Sequence, residues 1–299
     1  MTESDTDEPN SDSNDEPNAG DTVDHQHTEH GTSFDRWAKQ VWAAGSYADI
    51  APKYLSMSGR LVERTAVSAA DDVLDIGCGT GSVAITAARR DGHVTGLDIT
   101  PELLERARTN ADRAAVEGIS WREGTATDLP FAENAFDVTL SNLGHMYGDP
   151  PDTAARELLR VTRSGGRIGF TSWTTASLYP SMAGVVTSVL APEDLPDFSE
   201  PPFLWGDPGT VRERLGSAVR ELEFETDTVR YPALSPEHFW HQMATNSGTF
   251  IEVLDSVDDE EVPGLRERVI ETIEPHFDEE RNAVELEYLL TTASVTGSE

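Results

Sequence analysis

The feature that most constrains the fold is a short apolar run that passes into a glycine-rich turn, residues 73–82 (VLDIGCGTGS). The run predicts a buried strand, the glycines predict a tight turn, and residues 83–90 predict a helix. A second predicted strand, residues 94–97, is followed by Asp98, 21 residues after Gly77. This order of strand, turn, helix, strand and acid is typical of a nucleoside-binding βαβ unit.

Strand and helix signals continue to alternate into the middle of the chain. Further strands are predicted at residues 119–122, 136–140 and 168–173, with helical segments between them. Because parallel strands need long crossover connections, this alternation predicts a doubly wound, Rossmann-like α/β sheet. Two later strands, at residues 219–231 and 283–295, are expected to complete a mostly parallel seven-stranded sheet with a C-terminal antiparallel strand.

Four segments follow from composition and pattern. Residues 1–32 contain almost nothing apolar and are expected to form a disordered acidic tail. Residues 33–70 are expected to form an N-terminal helical lid, and residues 71–174 the nucleoside-binding core. Residues 175–299 are expected to hold a substrate-side insertion and the last two strands, with an irregular stretch at residues 175–218 that is rich in Pro, Ser and Gly.

The charge balance of the chain is strongly acidic. Fifty-five acids face 22 bases, for a net charge of −33. Residues 1–30 hold ten of the acids and no Lys or Arg, so the remaining 269 residues still carry −23. Multimolar salt shortens the Debye length to about 3 Å and screens this repulsion. We interpret the chain as salt-adapted, similar to proteins of halophilic archaea; the alternative, an acidic partner surface, fits less well because the acids are spread throughout.

Several classes of protein are disfavoured by what the sequence lacks. It has no run of 18 apolar residues and no secretory signal, which argues against membrane insertion and export. The single cysteine, Cys78, excludes an internal disulfide framework, and together these features point to the cytoplasm. No metal site is expected: His25, His27 and His30 are interpreted as part of the solvated tail. Nucleic acid is not an expected partner, because no basic face is evident.

Two details of the glycine-rich turn favour S-adenosylmethionine (SAM) over a nicotinamide dinucleotide. The third glycine lies at position 81, whereas a dinucleotide fingerprint places it at position 82, where this chain has Ser82. Asp75, at the mouth of the turn, repels a pyrophosphate but attracts the sulfonium and ammonium groups of SAM. The alternative is a purely structural one: a tight turn that binds no ligand, with Asp98 as an ordinary acid at a strand end.

With these residues in place, the chain resembles the class I SAM-dependent methyltransferases, in particular the branch similar to ubiquinone and menaquinone C-methyltransferases. The resemblance is good over about residues 37–175 and loose elsewhere. It is carried by residues 42–47, 73–81, 123–131, 136–144 and 159–167.

The resemblance implies a role for each of these segments. The turn at residues 73–81 holds the methionine part of SAM, Asp98 binds the ribose, and residues 123–131 hold adenine. Residues 136–144 border the methyl group, and Tyr47 closes over the cofactor. The expected cofactor contacts are Tyr47, Asp75, Gly77, Cys78, Gly79, Gly81, Asp98, Ile99, Thr125, Ala126 and Asn142.

One departure from the family concerns adenine. Thr125 stands where the family has an acid that accepts a hydrogen bond from the adenine amino group. A hydroxyl can also accept, but without charge, and Asp128 lies three residues further on. The sequence leaves open which of the two contacts adenine.

The implied reaction is an in-line transfer of the methyl group to a small-molecule acceptor, either quinone-like or another lipid or metabolite. His145 is the candidate general base, and its alternative role is a neutral histidine in the pocket wall. Tyr47, Met146 and Tyr147 are candidates to line the methyl pocket. An RNA methyltransferase and a non-catalytic SAM-binding protein are the alternative functions, and the sequence does not predict an oligomeric state.

Overall fold

The computed structural model describes residues 33–191 and 198–297. The expected disordered tail, with its three histidines, lies outside the described residues. No helix in the described ranges is long and apolar enough to cross a membrane.

The architecture is built around one sheet of eight strands. The strands are β1 (Asp72–Ile76), β2 (His93–Asp98), β3 (Ser120–Glu123), β4 (Phe136–Asn142), β5 (Thr162–Trp173), β6 (Val219–Pro232), β7 (Phe277–Asp278) and β8 (Ala283–Val295). Their order is β3-β2-β1-β4-β5-β8-β6, with the two-residue β7 added beside β8. Strands β1 to β5 pair in parallel, and β8 runs antiparallel to both β5 and β6. The predicted Rossmann-like sheet is confirmed, and β7 is an addition too short to leave a sequence signal.

Eleven α-helices surround this sheet in the described ranges. They are α1 (Ser33–Ala44), α2 (Tyr47–Ile50), α3 (Leu55–Arg64), α4 (Ser82–Ala88), α5 (Pro101–Arg113), α6 (Pro151–Val161), α7 (Leu178–Thr187), α8 (Pro208–Leu215), α9 (Pro236–Asn246), α10 (Gly248–Ser256) and α11 (Val262–Ile273). Helices α4 and α5 follow strands that step one way along the sheet, and α6 follows a strand that steps the other way. Right-handed crossovers therefore place α4 and α5 on one face and α6 on the other.

The chain reverses its direction along the sheet between β1 and β4. Crevices open at such a switch point, outside the carboxyl ends of the strands. The loops that follow β1 and β4 lie against each other there, as the close approach of Gly77 and Gly144 shows. The fold thus creates a crevice beside the glycine-rich turn.

Helix α3 belongs to the core of the sheet rather than to a lid. Its side chains Met57, Leu61 and Val62 are fully buried, and the helix contacts α4, β4 and β5. The segment that remains as a candidate lid is therefore shorter than residues 33–70, and ends with α2.

The stretch expected to be irregular contains two helices, α7 and α8. Helix α7 buries Leu178, Met182 and Val186, which are spaced four residues apart and form one apolar stripe. The prediction of an irregular stretch was wrong here, because burial of this apolar stripe stabilises the helix despite the Pro, Ser and Gly residues around it.

Candidate functional site

The turn after β1 is pressed against the end of β4. Gly77 has a φ of +63°, and a Cβ built on it would lie 2.7 Å from the Cα of Gly144. The Cys78 amide donates to the carbonyl of Leu97 at 2.9 Å, which ties the turn to β2 as well. A side chain at position 77 would meet both a strained backbone conformation and a steric overlap, so the turn needs glycine there.

Asp98, at the end of β2, holds two loops together. Its carboxylate accepts hydrogen bonds from the Gly79 amide at 2.7 Å and from the Thr100 amide at 2.9 Å. The side chain is buried, and this burial raises the pKa of the carboxyl. Asp98 therefore stabilises both the glycine-rich turn and the start of α5 while it lines the crevice.

Asp75 belongs to β1, and its side chain reaches the first turn of α4. One carboxylate oxygen, Oδ2, accepts a hydrogen bond from the Ala84 amide at 3.0 Å, and the helix dipole favours a negative group at this place. Burial, with a contribution from nearby Asp98, raises the pKa of the carboxyl. The other oxygen, Oδ1, is buried and has no hydrogen-bond partner among the described residues. A carboxylate already occupies the place where a pyrophosphate binds a helix N-terminus, so the site suits a cationic ligand better.

The crevice between these loops encloses about 90 Å³. The predicted residues that line it are Tyr47, Gly77, Gly79, Asp98, Ile99, Thr125, Ala126 and Asn142. The Asn142 side chain is oriented by the Thr171 hydroxyl, which donates to its carbonyl oxygen at 2.7 Å. The ring of Tyr47 covers Gly79, at 3.3 Å from the position of a built Cβ.

Three predicted residues lie outside the lining of the crevice. Asp75 and Cys78 line a smaller cavity of about 20 Å³, which shares Tyr47, Gly77, Gly79 and Asn142 with the crevice. Gly81 has a φ of +86° and faces Trp121 and Ala107, so its contacts are with the sheet and with α5. Its role in the structure is to let the turn enter α4.

The sequence analysis missed the contribution of α1 to the crevice. Asp35, Ala38 and Trp42 line it, and Asp35 accepts a hydrogen bond from the Thr125 hydroxyl at 3.2 Å. Their spacing of three and four residues places them on one face of the helix. That spacing is readable in the sequence, but it does not show which face of α1 turns toward the core. Asp128, the other candidate for adenine, is exposed.

His145 lies in a tight turn after β4 and is buried. Its ring packs against Phe170, with centroids 4.3 Å apart, and against Trp205 at 4.5 Å. Burial, together with the charge of Arg214, lowers the pKa of the imidazole to about 3. The structure places the candidate base among aromatic rings instead of among the residues that line the crevice, which favours a structural role.

A second, larger cavity of about 710 Å³ adjoins the crevice. Four residues line both spaces: Trp42, Tyr47, Leu143 and Tyr147. The walls of the cavity come from the N-terminal helices, from α7 and from α9 and α10, and they are largely aromatic and aliphatic. Glu200 is the one charged side chain among the described residues that line it, and it forms an ion pair with Arg214.

Two tyrosine hydroxyl groups in the wall of this cavity are hydrogen-bonded to each other. The Oη atoms of Tyr54 and Tyr179 are 2.6 Å apart, and either can be the donor. Burial raises the pKa of both phenols, so both are neutral. The pair therefore offers a neutral, polar anchor in an apolar cavity. The described residues contain no cluster of three or more side chains suited to hold a metal ion.

Comparison with known proteins gives a family match over the core. A family model described as a methyltransferase domain matches residues 73–166. An uncharacterised protein of Mycobacterium tuberculosis is 41% identical over 149 residues, 50% of this chain and 54% of that protein. A second uncharacterised protein of the same organism is 32% identical over 265 residues, 85% of this chain and 93% of that protein. The chain thus spans about half the length of the first relative and nearly all of the second.

Two further similarities concern a named enzyme and a solved structure. The ubiquinone/menaquinone biosynthesis C-methyltransferase of Roseobacter denitrificans is 36% identical over 111 residues, 36% of this chain and 44% of that enzyme. The crystal structure of the YcgJ protein from Bacillus subtilis superposes with a TM-score of 0.53 at 18% identity, over 81% of this chain and 98% of that one. The similarity to the YcgJ structure supports the Rossmann-like fold of this chain.

Proposed function

Because the chain belongs to the class I SAM-dependent methyltransferase family, we propose that it methylates a bulky, apolar and uncharged small molecule. The observation that carries this proposal is the junction of the crevice with the large cavity, where Trp42, Tyr47, Leu143 and Tyr147 belong to both walls. SAM supplies a methyl group on a sulfonium ion, whose leaving group is a neutral thioether. An acceptor in the cavity faces that group across these four residues.

The charges of the crevice support its assignment to SAM. Asp75 has a buried carboxyl oxygen without a partner among the described residues, in the small cavity that adjoins the crevice. Burial raises the pKa of this carboxyl, and a cationic group of the ligand beside it would favour its ionised form. Asp98 lies at the end of β2, where an acid accepts hydrogen bonds from ribose hydroxyls. Gly77 and Gly79 allow the ligand to approach the backbone, and Thr125 and Ala126 border the adenine end.

The lining of the cavity limits the class of acceptor. None of the described residues around it is Lys, Arg or His, so an anionic acceptor such as RNA finds no counter-charge. Its volume lies within the range of ligand sites that enclose drug-sized molecules. A quinone-like ring with an apolar tail belongs to this class, and the Tyr54–Tyr179 pair can donate a hydrogen bond to a ring oxygen.

The residues at the junction act by position and by exclusion of water. Trp42 contacts Tyr47 and Tyr147 edge to face, with centroid distances of 5.7 and 5.1 Å. Aromatic rings attract a cation such as the sulfonium and also exclude water from the reacting atoms. Holding the acceptor atom in line at about 3 Å from the methyl carbon lowers the entropic part of the barrier to such a reaction.

The candidate lid consists of α1 and α2, residues 33–50. Lys39 forms an ion pair with Glu123 at the end of β3, and Gln40 donates to Glu252 in α10. These two contacts lie at the surface and are worth little individually. Ala38, Val41 and Ile50 of the segment are buried, so apolar packing is what mainly holds it closed. The lid admits SAM and the acceptor, and its closure completes the wall formed by Trp42 and Tyr47. The cytoplasmic location and the salt adaptation stay predictions from the sequence.

The acceptor class is testable with methyl-labelled SAM. The protein is incubated in molar KCl with labelled SAM and a cell extract that has been divided into organic-soluble, aqueous small-molecule and RNA fractions. We expect label in the organic-soluble fraction, and much less with Asp98→Ala. Label found only in RNA or in charged, water-soluble metabolites would contradict the proposed acceptor class.

A further inference from the structure

We propose that Asp35, on the candidate lid, accepts a hydrogen bond from the exocyclic amino group of the adenine of SAM. The lid then recognises the base as well as covering the site. This inference rests on the proposed function, because it assigns one contact of the cofactor that function requires.

The position of Asp35 follows from the direction of the crevice. Asp98 ends β2, where it faces the ribose. Strand β3 lies beyond β2, at the edge of the sheet, and the residues that follow it, Gly124 to Ala126, form the far end of the crevice. The base attached to the ribose must lie at this end. Asp35 is also there, because the Thr125 hydroxyl donates to its Oδ1 at 3.2 Å.

Chemical complementarity supports the contact. The exocyclic amino group is the N–H donor of the adenine base, and an ionised carboxylate is purely an acceptor. Thr125 directs its proton toward Asp35, which orients the carboxylate. Asp35 is only 7% exposed, so a hydrogen bond to it is shielded from water and discriminates strongly between a donor and an acceptor on the ligand.

The alternative is a purely structural role. Asp35 is an acid in the first turn of α1, where it favours the helix through the dipole. Asp49 is the matched control, because it is an acid in the first turn of α2, is exposed, and accepts a hydrogen bond from the Ser46 hydroxyl. Asp49→Ala removes an acid from the first turn of a lid helix but changes no residue that lines the crevice.

The test compares two ligands by calorimetry in molar KCl. One is S-adenosylhomocysteine (SAH), and the other is S-inosylhomocysteine, in which a carbonyl oxygen replaces the amino group. The unmodified protein should bind SAH roughly 10- to 100-fold more tightly than the inosyl analogue, the range expected for one hydrogen bond to a charged group. Asp35→Ala should bind SAH that much more weakly and lose the preference, whereas Asp49→Ala should keep both.

A rescue variant separates recognition from structure. In the double variant Asp35→Ala, Thr125→Asp, a carboxylate returns to the same end of the crevice from the other wall, and we expect the preference for SAH to return. A structural role of Asp35 would not be rescued in this way. Asp35→Asn, which is nearly isosteric, takes the place of Asp35→Ala if the latter fails to fold, and it should also show a reduced preference.

The outcomes distinguish this inference from the proposed function. If the unmodified protein binds neither ligand, the proposed function fails. If it binds SAH but Asp35→Ala or Asp35→Asn keeps the full preference over the inosyl analogue, the role of Asp35 is refuted and the proposed function stands.

Discussion

The close packing of the glycine-rich turn on β4 predicts a large cost for Gly77→Ala. The left-handed conformation at a φ of +63° costs about 1–2 kcal/mol for a residue with a Cβ. The new Cβ would also lie 2.7 Å from the Cα of Gly144, and overpacking of this kind costs about 1–3 kcal/mol. Since backbone atoms cannot move aside as a flexible side chain can, we expect both effects together to lower the free energy of unfolding by about 2–5 kcal/mol.

Urea unfolding in molar KCl without ligand measures this cost, and Gly118→Ala is the matched control. Gly118 has a φ of +81° with nothing within 4 Å of a built Cβ, so it isolates the conformational cost of about 1–2 kcal/mol. Gly59→Ala, inside α3 with open space around the new methyl group and no positive φ, should be neutral or slightly stabilising. If Gly77→Ala costs no more than Gly118→Ala, the contact between the two loops does not exist as described.

Three further predictions concern pH, salt and the lid. Burial holds the pKa of His145 at about 3, below its usual 6.5. Between these values the histidine binds a proton in the unfolded chain only, so its contribution to stability falls as the pH drops through this window. This effect lowers the free energy of unfolding by no more than about 3 kcal/mol at pH 4. His145→Leu should therefore flatten the dependence of the unfolding free energy on pH between 6.5 and 4. An unchanged slope would contradict the lowered pKa of His145. The net charge of −33 predicts that the melting temperature rises as KCl increases from low to molar levels, and a flat or falling melting temperature argues against salt adaptation. Proteolysis near Tyr47 should slow when SAH is added, because the lid closes over the ligand, and an unchanged cleavage rate would rule out the lid.

The sheet and the glycine-rich turn were predictable because each depends on local signals. Alternation of strands with helices sets the parallel order, and Asp75, Gly77 and Asp98 have fixed positions relative to β1 and β2 in this topology. Right-handed crossovers then bring residues that are distant in the sequence, such as Asn142, to the same edge. The strands at residues 219–231 and 283–295 were also correctly located, because their β propensity persists over more than ten residues.

The residues that the sequence did not reveal depend on tertiary packing. Whether Asp35 faces the crevice or the solvent is decided by how α1 lies on the body, and its helical spacing fits both orientations. His145 follows the strand end where bases are expected, yet the turn at residues 145–147 directs its ring toward Phe170 and Trp205. The large cavity is likewise formed by helices from both ends of the chain, and no single segment encodes it.

Calorimetric titration with SAM, SAH and NADH in molar KCl tests the central claim most directly. We expect binding of SAM and SAH and no binding of NADH, because Asp75 occupies the helix terminus that a pyrophosphate needs. Asp98→Ala should weaken SAM binding by about 1–3 kcal/mol. Binding of NADH without binding of SAM or SAH would contradict the account.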